Sequence, residues 1–303
     1  MPQDTSLRTR EHFPALQQYV YLNAASIAMV PAPVRQKQEE YEREIGSVGT
    51  VSLDEEAESR ATDLPRRLLA DLFGTEESRI ALVSNATEAL SHLAWGIRPQ
   101  RGTNVVVIDL DFPSTVYPWM RAAQDTGAEV RLVRAMEDPR SLCIEDIAAA
   151  VDDDTTAVCI SEVQYATGHR FDLGLLAELA HDAGALCIVD GTQSAGVVPV
   201  DVEESDVDAF VASGYKWLCA PFGAAAMYVH PRLMGSIDPP IAGWRSTRDI
   251  FAFDATRLDF IDDARKFHAG TPSYGAMFAL GEIARYLLDL GVDTVFEHVL
   301  SLT

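Results

Sequence analysis

The chain has 303 residues, 48% of them hydrophobic, which suits one large α/β domain or a domain and a half. Its 46 acidic residues outnumber its 24 lysines and arginines, giving a formal charge of −22. Such a surface repels phosphate backbones and anionic lipids, so the composition argues against nucleic-acid and membrane partners.

The cysteines and the N-terminus predict a cytoplasmic protein. The segment MPQDTSLRTREHF lacks the apolar core of a secretion signal, and no apolar run approaches membrane length. The cysteines show no CxxC or metal-ligand spacing, which favours small buried thiols in a reduced compartment. The histidines show no ligand spacing either, so we expect no bound metal. The four cysteines are Cys143, Cys159, Cys187 and Cys219.

The predicted elements alternate along most of the chain. Residues 34–73 are predicted to be helical and charged, and later amphipathic helices separate most of the short β-rich runs. After residue 231 the sequence is irregular, until a helix begins near Ser273 and runs towards Leu290. The pattern predicts an α/β fold whose mostly parallel sheet is covered on both faces. Its seven strands are predicted at 79–85, 104–110, 129–135, 156–163, 185–191, 209–214 and 224–230.

Ligands of open α/β sheets bind beyond the carboxyl ends of the strands. Lys216 lies at such a position, in SGYKWLCA, and is the only lysine between Lys37 and Lys266. Lysine is rarely placed in apolar surroundings without a partner or a task. Asp190 ends the apolar run LCIVD, where an unpaired carboxylate is costly to bury. Asp190 alone is explained as a turn cap, but beside a lysine it also suits the ring nitrogen of pyridoxal phosphate.

Two further strand ends fit the same cofactor. In SNATEAL, small residues and Thr87 begin a helix whose N-terminus attracts an anion such as phosphate. An ordinary helix cap explains that segment about equally well. Phe112, just past a predicted strand, either closes the top of the sheet or lies flat on a cofactor ring.

The segments VDGTQSAG and ASGYKW together resemble the class V aminotransferase family. That family also holds cysteine desulfurases, kynureninase and isopenicillin-epimerase-like enzymes, all dependent on pyridoxal phosphate and built on the type I fold. The resemblance runs from YVYLNAASIAMVP (19–31), similar to the family's N-terminal substrate loop, to FHAGTPSYGAMFALGEI (267–283). It implies that Lys216 forms the Schiff base, Asp190 pairs with the pyridinium nitrogen and Gln193 binds the phenolic oxygen.

The resemblance also implies the remaining site residues. The phosphate would be held by Ala86, Thr87, Ser213 and Tyr215. Thr271 would reach the phosphate of a neighbouring subunit, which implies a homodimer, and Trp244 either joins that phosphate pocket or packs under a loop. Substrate contacts are expected from the 19–31 loop and the end of the fourth strand, at Asn23, Ala25 and Glu162.

The sequence departs from the family in two places. Desulfurases usually stack a histidine over the cofactor ring, and Phe112 stands at the matching position, which gives sulfur abstraction less support. The chain also ends soon after the connecting helix, so we expect a small C-terminal domain that is largely absent. That domain normally carries the substrate-carboxylate arginine and the sulfur-accepting cysteine. Arg245 and Arg248 are possible substitutes, although a solvated loop is the favoured interpretation.

The expected organisation is an N-terminal segment (1–33) with the substrate loop, a large cofactor-binding domain (34–272), and a connecting helix with the start of a truncated small domain (273–303). We expect an enzyme that acts at the α-carbon of an amino acid through Lys216, with side-chain cleavage slightly favoured. The alternatives are an aminotransferase or epimerase of the same family, or a truncated cofactor-binding protein without turnover. A nicotinamide dehydrogenase is disfavoured because no GxGxxG turn follows the first strand.

Overall fold

Seven short strands form one sheet in the computed structural model, which describes residues 10–51, 53–135, 137–140 and 142–303. The strand order is β1-β7-β6-β5-β4-β2-β3, and only β7 runs antiparallel to its neighbours. All seven predicted strands are present, so the prediction of a mostly parallel seven-stranded sheet is confirmed. Their bounds are β1 (Ile80–Val83), β2 (Asn104–Ile108), β3 (Glu129–Val133), β4 (Thr155–Ser161), β5 (Leu186–Asp190), β6 (Ala209–Ser213) and β7 (Ala225–Val229).

The α-helices lie between and after these strands. The long helical prediction for 34–73 corresponds to two helices: Asp54 caps the second through Ala57 N at 2.8 Å, and Gly74 ends it in the left-handed region. The bounds are α1 (Ala32–Val48), α2 (Glu55–Phe73), α3 (Ala86–Ile97), α4 (Pro113–Thr126), α5 (Ile144–Ala148), α6 (Leu173–Asp182), α7 (Pro231–Met234), α8 (Tyr274–Leu290) and α9 (Val292–Leu302). Within the described ranges, no helix is both long and apolar enough to cross a membrane.

Two apolar clusters bury the sheet on both faces. One joins alternate strand residues to α2, α6 and α8, and the other joins the remaining strand residues to α3 and α4. Strands buried on both faces need apolar residues at every position. This explains why the central strands are continuous apolar runs rather than alternating ones.

The C-terminal helices pack on the N-terminal ones, since α8 contacts both α1 and α2. All seven strands lie within 34–272, and Ser273 is the residue just before α8. The division of the chain at 33 and 272 stays a prediction.

The parallel strands place their carboxyl ends at a common edge of the sheet. At the end of β5 the chain must turn tightly, and Gly191 makes this possible because a Cβ there would lie 1.9 Å from the Phe210 ring. The residues that follow β1, β2, β4, β5 and β6 therefore converge.

Candidate active site

A cavity of about 450 Å³ opens at this carboxyl edge. It brings together eight residues that the sequence predicted for one site: Ala86, Thr87, Phe112, Asp190, Gln193, Ser213, Tyr215 and Lys216. Asn85, at another strand end that the rule for open α/β sheets points to, also lines it, and four further lining residues were not predicted: Ser114, Ser161, Tyr165 and Thr192.

The Lys216 amine is the cationic group of the cavity. Its side chain is buried, and Nζ lies 5.2 Å from the centroid of the Phe112 ring. Within the described part of the chain, no hydrogen-bond acceptor or carboxylate pairs with this amine. Burial lowers the pKa of Lys216, and the Asp190 carboxylate offsets part of that shift. The amine is thus nearer to its neutral, nucleophilic form than a surface lysine.

The Asp190 carboxylate is held by two threonines. Its Oδ1 accepts from the backbone N–H of Thr192 at 2.9 Å, and its Oδ2 accepts from the Thr115 hydroxyl at 3.0 Å. Thr192 Oγ1 in turn accepts from the backbone N–H of Ser213 at 3.1 Å, which ties the end of β5 to the end of β6. These bonds orient a nearly fully buried carboxylate at the cavity wall.

The start of α3 forms the polar end of the cavity. Asn85 caps the helix by accepting from Glu88 N at 2.9 Å, and Ala86 N donates to Ser213 Oγ at 2.9 Å. The hydroxyls of Thr87 and Ser114 lie 2.7 Å apart, joining the starts of α3 and α4. Two hydroxyls beside a helix N-terminus make a suitable anion site.

Gln193 links the cavity to the N-terminal loop. Its Oε1 accepts from Trp217 Nε1 at 2.9 Å and its Nε2 donates to the Ala25 carbonyl at 3.1 Å. The loop is also attached beside the lysine, because Ala28 N donates to the Tyr215 carbonyl at 2.9 Å. Asn23 is exposed in the turn before Ala25. The predicted substrate loop thus lies next to the lysine turn.

Aromatic rings flank the amine. Phe112 is 43% exposed and meets Tyr165 edge-to-face, with ring centroids 5.6 Å apart. Tyr215 is stacked on Phe222, with centroids 5.0 Å apart. The face of Phe112 is therefore available towards the cavity rather than packed into the core.

Glu162 does not join the other predicted residues. Its buried carboxylate accepts from Arg170 Nε at 3.2 Å and lines a separate cavity of about 320 Å³. Successive residues of a strand point to opposite faces of the sheet. Since Ser161 lines the lysine cavity, Glu162 faces away from it, which corrects its expected placement near the cofactor.

Trp244 and Thr271 also lie outside the lysine cavity. Trp244 packs with Phe251 and Phe253 beside one cavity, and the exposed Thr271 lines another. Thr271 was expected to serve a neighbouring subunit rather than its own, so its expected role stays a prediction. The packing of Trp244 agrees with the alternative of an aromatic under a loop.

The two candidate arginines have different environments. Arg245 is buried, donates to Glu58 Oε2 at 3.1 Å and to Tyr274 Oη at 3.2 Å, and stacks over Trp244. The expectation of a solvated loop is therefore wrong for Arg245, and its guanidinium is already paired. Arg248 is exposed and pairs with Asp262 at 2.6 Å.

Sequence reasoning missed several residues behind and around the cavity. Thr115, Ser161, Gln164 and Trp217 connect strand ends, and their partners are distant in sequence. Their positions in the sequence could have identified them, because each lies within a few residues of a predicted strand end or helix start. In the described ranges, no group of three or more histidine, cysteine or acidic residues could hold a metal ion.

The sheet with one reversed strand, and a buried lysine just after β6, has the architecture of fold type I pyridoxal-phosphate enzymes. The structure of the cystine C–S lyase C-DES in complex with cysteine persulfide superposes with a TM-score of 0.85, at 21% identity, over 94% of this chain and 75% of that one. At this identity the match shows the fold alone.

The family is shown by sequence. The family model described as aminotransferase class-V matches residues 20–303, so the chain belongs to the class-V aminotransferase family. It is 32% identical to a probable cysteine desulfurase from Halobacterium salinarum, over 97% of this chain and 73% of that protein. It is 31% identical to a cysteine desulfurase from Haloferax volcanii, over 95% of this chain and 68% of that protein.

Proposed function

We propose that this protein is a pyridoxal-phosphate-dependent lyase that acts at the α-carbon of an amino acid and cleaves a carbon–sulfur bond of its side chain. The observation that carries the proposal is the buried Lys216 amine, which has no hydrogen-bonding partner in the described chain and shares one cavity with Asp190 and the N-terminus of α3. The desulfurase relatives support this chemistry over transamination.

The residues of the cavity fit this cofactor. A phosphate suits the start of α3, where Ala86, Thr87 and Ser213 lie together and Ser114 adds a hydroxyl. An aromatic ring suits the exposed face of Phe112, and Asp190 presents a buried, oriented carboxylate to the same cavity. Gln193 would bind the phenolic oxygen, Tyr215 would add to the phosphate site, and Lys216 would bind the aldehyde carbon.

When bound, pyridoxal phosphate supplies an electron sink that makes the substrate α-carbon acidic. Asp190 would keep a proton on the ring nitrogen, because a buried carboxylate held by two hydrogen bonds stabilises a facing cation. The Lys216 amine, with its lowered pKa, would take the proton from the α-carbon, and the ammonium so formed would protonate the departing sulfur. Asn23 and Ala25 border the substrate from the N-terminal loop.

We further propose a homodimer. Apolar side chains of the N-terminal segment are exposed, including Val20 at 87% and Leu22 at 90%. A second copy would cover such a surface and could bring Thr271 and Trp244 to its own cofactor site. Sedimentation equilibrium tests this, and a monomer at all concentrations would contradict it. A cytoplasmic location is proposed from the unpaired strand cysteines Cys159 and Cys187, and cell fractionation tests it.

The test of the function is the visible absorption spectrum of the protein with pyridoxal phosphate, before and after borohydride, with peptide mapping. We expect a yellow protein whose borohydride adduct maps to Lys216. Lys266 is the matched control, because it is equally buried but its amine donates to two carbonyls. A colourless protein without an adduct would favour the alternative of a chain without turnover.

Product analysis separates the reactions. With cysteine or cystine as substrate, pyruvate and ammonia mark elimination, whereas alanine marks sulfur abstraction. An amino acid returned with the opposite configuration marks an epimerase, and a keto acid formed only with an added amino acceptor marks an aminotransferase. Either of the last two results would overturn the lyase proposal.

A further inference from the structure

A buried carboxyl–amide pair lies behind the candidate active site, where the turn after β2 meets the end of β4. Asp111 Oδ1 accepts from the Ser161 backbone N–H at 3.1 Å and from Gln164 Nε2 at 2.8 Å. Asp111 is 5% exposed and Gln164 1%. The pair therefore joins the turn that carries Phe112 to the strand whose Ser161 lines the cavity.

The second oxygen of each group is unmatched. Asp111 Oδ2 and Gln164 Oε1 are both buried and have no hydrogen-bond partner among the described residues. Both are acceptors when Asp111 is ionised, so neither can satisfy the other. A proton on Asp111 Oδ2 supplies a donor. A carboxylic acid and a primary amide then pair twice, with amide N–H donating to one carboxyl oxygen and carboxyl O–H donating to the amide oxygen.

The charges around Asp111 favour protonation of its carboxylate. Asp190 faces it from the end of β5 and the Cys159 thiol lies inside β4, while Lys216 interacts with Asp190. The loop that carries Gln164 also holds Glu162 and Arg170, which pair with each other. Burial raises the pKa of Asp111 to about 7, Asp190 adds to the rise, and hydrogen bonds from Ser161 and Gln164 oppose it.

We propose that Asp111 is a positioning residue held as a neutral carboxylic acid by Gln164, which joins the Phe112 turn to β4 and leaves Asp190 as the single negative charge at this edge of the cavity. The location of the proton does not depend on any cofactor. The effect of this proton on the ring nitrogen of pyridoxal phosphate, through the charge beside Asp190, rests on the proposed function.

Infrared difference spectroscopy of the cofactor-free protein tests the proton directly. We expect the C=O stretch of a protonated carboxyl below pH 7, lost as the pH rises through about 7, and absent in Asp111→Asn. Asp109→Asn is the matched control, because it makes the same change two residues earlier, and it should retain the band. A wild-type spectrum without that band, or an Asp111→Asn spectrum that keeps it, would overturn the proposal.

Thermal unfolding gives a second readout with a defined sign. Between the ordinary aspartate value and about 7 the folded protein binds one proton more than the unfolded chain, so stability falls as pH rises through that window. Asn mimics the neutral acid, so the Tm of Asp111→Asn should equal that of wild type below the ordinary aspartate pKa, exceed it increasingly up to about pH 7, and keep a constant excess above that pH. An equal offset at all pH values would indicate a purely structural residue and overturn the proposal.

The cofactor-loaded protein separates this proposal from the proposed function. We expect the visible absorption of the wild type to change with a midpoint near 7 that Asp111→Asn removes. If the visible absorption of the wild type and of Asp111→Asn depends on pH in the same way with the cofactor bound, the proposed effect of Asp111 on the cavity is overturned. If the protein takes up no pyridoxal phosphate, the proposed function fails, while the infrared band still decides where the proton lies.

Discussion

Two lysines are equally buried in this protein, and their amines have opposite surroundings. Lys266 is 6% exposed, and its amine donates to the carbonyls of Met234 (at 2.6 Å) and Ile237. Lys216 is 7% exposed, and its amine lies in the cavity, 5.2 Å from the centroid of the Phe112 ring. Burial lowers the pKa of both amines. The direction of a pKa shift therefore does not distinguish a structural lysine from a reactive one, whereas the hydrogen bonds do.

Two buried aspartates repeat the contrast at opposite ends of the sheet. Asp208, before β6, accepts from Cys187 N at 2.8 Å, from His181 Nε2 at 2.9 Å and from Arg232. Asp190, at the end of β5, is held by hydroxyl and backbone donors only, with no cation in contact among the described residues. The first carboxylate is neutralised within the fold, and the second keeps its charge for a ligand.

The largest effect is expected when each lysine is replaced by methionine in a separate variant. Lys216→Met should lower turnover by at least about 10²-fold, because it removes the proton-transferring amine, and it should abolish the borohydride adduct. Lys266→Met should keep the adduct but lower the free energy of unfolding by about 1–3 kcal/mol, because buried carbonyls lose their donor. Steady-state kinetics and urea unfolding measure the two effects. An adduct that persists in Lys216→Met would break the comparison.

A reciprocal result is expected for the aspartates. Asp190→Asn should lower turnover by about 10²- to 10³-fold, since opposite charges ~4 Å apart attract by about 4 kcal/mol near a protein surface. Asp208→Asn should instead lower the free energy of unfolding by about 3–5 kcal/mol, because it breaks a buried ion pair. The two variants are compared by the same kinetics and unfolding assays. Equal loss of turnover in both folded variants would contradict the distinction.

The sequence was sufficient for features that are local in the chain. The strands other than β3, which contains Glu129 and Arg131, are largely apolar runs, and Lys216, Asp190 and Gln193 lie in short segments with a recognisable order. The strand-end rule and the family resemblance together named the eight predicted residues that lie around one cavity. Local sequence patterns therefore predict the element, and the strand end, at which a residue lies.

The sequence was insufficient where a partner lies far along the chain. Thr115 meets Asp190 across 75 residues and Asp111 meets Ser161 across 50, so neither pair has a local signature. Arg245 was expected in a solvated loop, but its partner Glu58 is 187 residues away. Glu162 was misplaced for a different reason, because a one-residue difference in a strand reverses the face.

A smaller effect should follow from Thr115→Val, which keeps the side-chain shape and removes the hydroxyl. The Asp190 carboxylate then loses one of its two donors, the one on Oδ2, and hydrogen bonds to charged groups are worth about 1.5–3 kcal/mol. We expect turnover to fall about tenfold to a hundredfold, less than for Asp190→Asn. Thr115→Ser is the control and should retain most of the activity. Full activity in Thr115→Val would show that Thr192 alone orients the carboxylate.

The smallest effect is expected at the aromatic face. Phe112→Leu keeps an apolar group and removes the ring, and aromatic pairs contribute about 0.5–1.5 kcal/mol beyond their buried area. The affinity for pyridoxal phosphate should therefore fall about 2- to 10-fold, measured by fluorescence titration. Tyr165→Phe is the control, because it preserves the edge-to-face contact with Phe112 and should bind the cofactor as the wild type does. A loss above about 10²-fold in Phe112→Leu would mean that the ring holds the loop in place rather than contacting the ligand. Phe112 would then be a structural residue, like Lys266 and Asp208.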